Sequence, residues 1–173
     1  TLGHFCLDNT NVGFYTLALT IATPLSLLPS IIGTTYFRQF ANQNRIGNNI
    51  IVSSVFMTAI TLAVFVIMID NVVQLLYDET YKVVSSYASY LAVAASLHGI
   101  GDMFNRFLGS HGLGKCLRNG AFVCGFIKVF GSFLLVYYFQ ISGAITTAII
   151  ADFAYFMMMV KYYRSFVRGT LYL

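Results

Sequence analysis

The chain has 173 residues, of which 58% are hydrophobic and only 9% are charged, and its mean hydropathy is +0.75. A composition this apolar excludes an ordinary soluble domain and is typical of an all-α integral membrane protein. The net charge of +4 comes from single, spaced basic residues, so it indicates membrane topology rather than nucleic-acid binding.

The first predicted span covers residues 12–32 and contains both prolines of the chain, Pro24 and Pro29. A proline inside a helix removes a backbone donor and clashes with the preceding turn, so this span is predicted to be kinked. In lipid, such a kink persists only where neighbouring helices or water satisfy the freed carbonyl groups. The two prolines are consistent with either a purely structural kink or a gating hinge.

The second predicted span, residues 50–69, is a run of twenty residues without a charge. A helix of this length covers about 30 Å, which is the thickness of the hydrocarbon core of a bilayer. Residues 72–77 follow it in an acidic segment, and their apolar pattern predicts a short helix at the membrane surface.

The third predicted span covers residues 83–108 and turns polar towards its end. Asp102 and Arg106 are four residues apart, so they share a helix face and are predicted to be able to pair. Glycines at positions 109, 112 and 114 then predict a break in the helix.

The fourth and fifth spans, residues 121–139 and 144–160, are separated by only four residues and are therefore predicted to form an antiparallel hairpin. Each contains one charged residue, Lys128 and Asp152, at a similar depth. A charge at the centre of a membrane helix costs about 2.5–3.5 kcal/mol on insertion scales, so each needs an explanation. Two explanations remain open: an ion pair across the hairpin, or contact with an ionic substrate or a proton in a water-filled cavity.

The basic residues support one orientation of these five spans, with the C-terminus in the cytoplasm. Only Lys82 falls on the outer side. Residues 1–11 then lie outside, carry no signal-peptide pattern, and predict the end of an upstream helix that is missing from this sequence. Eight basic residues fall on the predicted inner side: Arg38, Arg45, Arg106, Lys115, Arg118, Lys161, Arg164 and Arg168.

No enzyme motif is present, and we expect neither a catalytic activity nor a cofactor. Cys6, Cys116 and Cys124 have no metal-ligand spacing and are odd in number, which favours unpaired thiols and no metal site. His98, near the middle of the third span, is the only histidine with a functional claim. The alternative is a satisfied interior histidine.

Four segments resemble one transporter superfamily in the order in which they occur. NVGFYTLALTIATPLSLLPSIIGTTYFRQFA is similar to a helix of the multidrug/oligosaccharidyl-lipid/polysaccharide exporters, and VVQLLYDETYKVVSSY, FLGSHGLGKCLRNGAF and YYFQISGAITTAIIAD resemble their later segments. The resemblance is closest to O-antigen-type and other polysaccharide flippases. It implies that residues 1–173 are one membrane domain, part of the C-terminal bundle of a two-bundle transporter whose N-terminal bundle is a partner absent from this sequence.

Such flippases move a polyprenyl-pyrophosphate-linked oligosaccharide across the cytoplasmic membrane, so the resemblance implies membrane lipids and this lipid-linked glycan as partners. A cationic cavity suits the pyrophosphate, which makes Lys128 and Arg106, together with Asp152, the candidate substrate-binding residues. Pro24 and Pro29 are the candidate gating residues. The alternatives are a cation-coupled multidrug exporter of the same superfamily and a membrane scaffold protein without transport activity.

Overall fold

A computed structural model describes residues 9–170, and the predictions about Cys6 and the first eight residues lie outside that range. The described residues are helical and contain no strand. A 3₁₀ turn, Thr23–Ser26, joins the first two helices, and a second, Glu79–Tyr81, precedes the fifth. The helices are α1 (Asn9–Ala22), α2 (Leu27–Thr35), α3 (Phe37–Ala41), α4 (Asn48–Leu76), α5 (Lys82–Ser110) and α6 (Gly114–Val167).

Four helical segments within residues 9–170 are long and apolar enough to cross a membrane. This confirms the predicted all-helical fold, with helices that are able to span a membrane by length and composition. The four segments are Thr10–Thr35, Asn48–Leu76, Glu79–Ser110 and Gly114–Val167.

The longest segment, α6, contains the predicted hairpin. Its backbone reverses at Gln140, where φ is +49° and ψ is −123°. The arms 114–139 and 141–167 lie side by side. They are in close contact at Gly131, where an added Cβ atom would lie 2.8 Å from Cγ2 of Thr147. At Gly143 an added Cβ would overlap the carbonyl oxygen of Leu135, so only glycine allows the arms to approach this closely. The reversal therefore takes a single residue instead of the predicted four.

The α-helix of the first span is interrupted where the kink was predicted. The 3₁₀ turn has Pro24 in its first turn and separates α1 from α2, while Pro29 is buried in α2. Gly99 of α5 is the contact point, because a Cβ atom there would lie 2.6 Å from the carbonyl oxygen of Ser26 and 3.1 Å from Cγ of Pro29. The kinked segment therefore packs directly against the backbone of α5.

This close approach predicts that Gly99→Ala destabilises the protein by about 1–3 kcal/mol, the usual range for overpacking. In an open helix the same change would be stabilising by up to about 1 kcal/mol. Gly125→Ala is the matched control, because nothing lies within 4 Å of a Cβ atom built there. Thermal unfolding of both variants in detergent measures the difference, and equal melting temperatures would contradict the packing.

Two predicted helix boundaries are wrong. Residues 72–77 do not form a separate surface helix; α4 continues through Leu76, because no proline or glycine interrupts it, and ends where Tyr77 becomes extended. The predicted glycine-rich break shrinks to residues 111–113. Gly112 has φ +73° in that turn, and α6 begins directly afterwards.

α5 is the central helix, since it contacts each of the other helices, whereas α4, the most apolar candidate span, buries little of its surface. This is the expected arrangement for a bundle in lipid, where the most apolar faces point outwards. The C-terminal ends of α5 and α6 both contact the loop after α3. In α6, the Tyr163 hydroxyl accepts a hydrogen bond from the Ile46 amide at 3.2 Å. Directly after α5, His111 Nε2 lies 3.1 Å from the Gln43 carbonyl oxygen. The eight basic residues predicted to share one side of a membrane therefore lie at one end of the bundle, and which side that end faces stays a prediction.

Candidate functional site

The two charged residues of the hairpin form an ion pair. Lys128 Nζ lies 2.9 Å from Asp152 Oδ1, so the predicted pairing across the arms of α6 is present. The two side chains differ in accessibility, because 46% of the lysine side chain is exposed and only 9% of the aspartate side chain. The lysine is thus the more exposed member of the pair, and the carboxylate is largely buried.

His98 of α5 contacts the same carboxylate oxygen, with its Nδ1 3.1 Å from Asp152 Oδ1. The imidazole ring stacks on Tyr155, with ring centroids 4.7 Å apart and an angle of 18° between the planes. The Tyr155 hydroxyl donates to Asp102 Oδ1 at 2.8 Å and accepts a hydrogen bond from Asn105. This network fixes the orientation of the His98 ring.

The carboxylate of Asp102 therefore accepts a hydrogen bond from Tyr155, and the predicted pairing of Asp102 with Arg106 is wrong. No ion pair joins these two residues within the described part of the chain. The reason is that Arg106 lies on an exposed face of α5, where its stem packs against Gly33 of α2, while Asp102 lies on the face towards α6.

Cys124 completes the cluster, since its thiol donates to Asp152 Oδ1 at 3.7 Å. One buried carboxylate oxygen thus contacts an ammonium, an imidazole and a thiol. The contribution of Cys124 was not predicted, although the sequence contains a signal for it: Cys124 precedes Lys128 by four residues and so shares its helix face. His98 is 54 residues from Asp152, and no local pattern predicts that contact.

The cluster lies at a cavity of about 300 Å³ between α1, α5 and the two arms of α6. Five of its lining residues carry a hydroxyl group: Tyr15, Thr23, Ser26, Ser132 and Thr147. The hydroxyl groups of Thr23, Ser26 and Thr147 donate to nearby backbone carbonyl groups. The other lining residues are Leu19, Ala22, Leu91, Ala94, Ala95, His98, Lys128, Ala144, Ala148 and Asp152.

The remaining candidate residues are divided between the cavity wall and the basic end of the bundle. Pro24 is in the turn whose Thr23 and Ser26 line the cavity, and Pro29 packs behind that turn against Gly99. Arg106 is not among the lining residues and lies eight residues, or about 12 Å, further along α5 than His98. The structure therefore brings Lys128 and Asp152 together and leaves Arg106 apart.

These contacts define what the cluster is able to do chemically. Its single carboxylate compensates a single ammonium, so the pair is neutral overall, and the lysine is the more exposed of the two side chains. Both residues line the cavity, where the lysine is available to an anion and the carboxylate oxygen is largely buried. Comparison with family models, curated proteins and solved structures found no match to this chain.

Proposed function

We propose that this chain is part of a membrane transporter that moves a lipid-linked, pyrophosphate-bearing glycan precursor across the cytoplasmic membrane. The observation that carries the proposal is the half-exposed side chain of Lys128, which lines a cavity between apolar helices. Intramembrane charges are rare outside substrate and ion pathways, because of their desolvation cost. A lysine placed on a cavity wall is therefore best explained by an anionic ligand.

The physical problem that such a carrier solves is the desolvation of a diphosphate. This group cannot cross about 30 Å of hydrocarbon unaided, so the carrier has to offer a hydrated path with compensating positive charge. Lys128 supplies the charge, and the hydroxyl group of Ser132 on the first arm of α6 supplies a hydrogen bond. In this proposal the small cavity binds only the pyrophosphate, and the lipid and the sugar remain outside it.

Transport also requires a wall that moves, and the turn Thr23–Ser26 is the part of the cavity wall that is 3₁₀ rather than α-helical. Pro24 removes one donor there. We propose that α1 tilts about this turn while α2 stays packed on α5, with Pro24 and Pro29 at the hinge. The proposed topology has five crossings, two of them the arms of α6, a cytoplasmic C-terminus, and the basic end of the bundle facing the cytoplasm, with these helices forming the C-terminal bundle of a two-bundle transporter.

A specific observation favours a second candidate, a cation-coupled exporter of organic cations from the same superfamily. Asp152 is buried and hydrogen-bonded to His98, an arrangement suited to binding a proton or a cation. The exposed ammonium of Lys128 argues against a cationic substrate in the same cavity, since the two positive charges repel each other. A scaffold without transport activity is consistent with the ion pair of Lys128 and Asp152 but leaves the cavity beside it unexplained.

Deletion of the complete gene in its native host tests the proposal. Lipid-linked oligosaccharide should accumulate on the cytoplasmic leaflet and surface polysaccharide should fall, and a plasmid copy should restore both. The drug-exporter alternative predicts unchanged glycan and increased retention of cationic dyes. That second result would contradict the flippase function.

A further inference from the structure

We propose that His98, Cys124 and Asp152 form a binding site for a divalent transition-metal ion, in which the metal takes the place of the Lys128 ammonium. This inference does not depend on the transported substrate. It starts from the three ligand atoms, all of which lie within 4.8 Å of one another although they come from α5 and both arms of α6.

The geometry suits a tetrahedral ion. Bond lengths of about 2.0–2.3 Å for nitrogen, oxygen and sulfur ligands place neighbouring ligand atoms about 3.4–3.6 Å apart. His98 Nδ1 lies 3.1 Å and Cys124 Sγ 3.7 Å from Asp152 Oδ1, so both contacts agree with this spacing to within about 0.3 Å. The remaining nitrogen-to-sulfur distance is at most 4.8 Å, so reaching this spacing requires a side-chain adjustment of up to about 1.2 Å.

The chemistry of the donors selects the class of metal. One imidazole, one thiolate and one carboxylate are ligands typical of Zn²⁺ and Co²⁺, whereas Ca²⁺ and Mg²⁺ require oxygen ligands throughout. The fourth position faces the cavity, from which water fills it. The same cavity gives the metal its route of entry, because both His98 and Asp152 line it.

The charges balance when the metal replaces the ammonium. Binding releases the proton of the Cys124 thiol to water, and the thiolate and carboxylate together neutralise the two positive charges of the ion. Lys128 leaves the carboxylate and extends its half-exposed side chain into the cavity. The metal and the ammonium therefore compete for the same oxygen atom.

The surrounding residues support a metal-binding role for His98. Histidine ligands generally need an outer group that holds the ring in position. Here the ring is stacked on Tyr155, which is in turn held by Asp102 and Asn105. No rearrangement of the helices is required for the ring to keep this position with a metal bound.

The test uses the purified full-length protein in detergent, with any affinity tag removed, titrated with Co²⁺ under reducing conditions. A thiolate-to-cobalt charge-transfer band should appear with a stoichiometry of one ion per chain, and Zn²⁺ should displace it. Absence of the band in the unmodified protein would overturn the proposal without any need for variants. Because the assay reads metal binding alone, its result is distinguishable from failure of the proposed transport function.

Variants then assign the ligands. Cys124→Ser should abolish the band, whereas Cys116→Ser, the matched control, should keep it, since Cys116 is also buried but lies outside the cluster. Lys128→Gln should bind Co²⁺ about tenfold more tightly, because the competing ammonium is gone, a change of about 1.4 kcal/mol. A band that survives Cys124→Ser, or an unchanged affinity in Lys128→Gln, would overturn the site as described.

Discussion

Lys128→Gln should lower the apparent melting temperature of the full protein by about 5–10 °C, measured in detergent with a chelator present. The substitution leaves the carboxylate of Asp152 buried, with only His98 and Cys124 as partners. Removing one partner of a fully buried pair costs about 3–5 kcal/mol. The exposure of the lysine side chain, 46%, reduces this to about 2–3 kcal/mol. In a protein of this size, each kcal/mol shifts the melting temperature by about 2–4 °C.

The opposite substitution should have a smaller effect. Asp152→Asn leaves an ammonium that is already half exposed and is able to extend into the cavity, so the expected cost is about 1 kcal/mol. The double variant should recover most of the loss, because neither an unpaired carboxylate nor an unpaired ammonium remains. A thiol-reactive dye provides the readout, since Cys116 and Cys124 are buried and become reactive on unfolding.

Lys161→Gln is the matched control, as it removes an exposed lysine on the same helix and should change stability by less than about 0.5 kcal/mol. Additive effects of the two single substitutions would contradict the ion pair. A double variant close to the unmodified protein would demonstrate the coupling.

The helices were largely predictable because long apolar runs have only one explanation in a chain with 9% charged residues. Their ends were less predictable, since hydropathy measures the apolar part of a helix and polar residues continue it into the interface. α4 is the example: the charge at Asp70 ends the apolar run, but the helix reaches Leu76. The reversal between the last two spans was located correctly, and only its length differed, because Gly143 allows a closer approach than an ordinary turn.

The candidate site was predictable only in part. Depth along a helix follows from sequence position, which is why Lys128 and Asp152 were expected to meet. The sequence pattern of α5 does not determine which of its faces points towards α6. The contact of His98 with Asp152 was therefore not predicted, and Asp102 was expected to pair with Arg106 instead of Tyr155. Contacts between helices far apart in sequence decide both cases.

A loss of transport should follow from Lys128→Gln independently of its effect on stability. If the ammonium binds the pyrophosphate, removing one charged hydrogen-bonding partner costs about 1.5–3 kcal/mol of transition-state or substrate binding. That corresponds to a rate decrease of about 10- to 150-fold. The double variant Lys128→Gln with Asp152→Asn should be equally inactive although it is stable, because stability is recovered by neutralising both partners and the anion site is not.

The most direct measurement of the central claim is the flux of a fluorescent polyprenyl-pyrophosphate sugar across proteoliposomes that contain the full-length protein, with Lys161→Gln as control. The predicted result is rapid flux for the unmodified protein and the control, and loss of flux both for Lys128→Gln and for the stable double variant. Restoration of flux in the double variant would show that Lys128 serves the fold alone. Undiminished flux in Lys128→Gln would remove this residue from the substrate pathway and contradict the proposed function of the cavity.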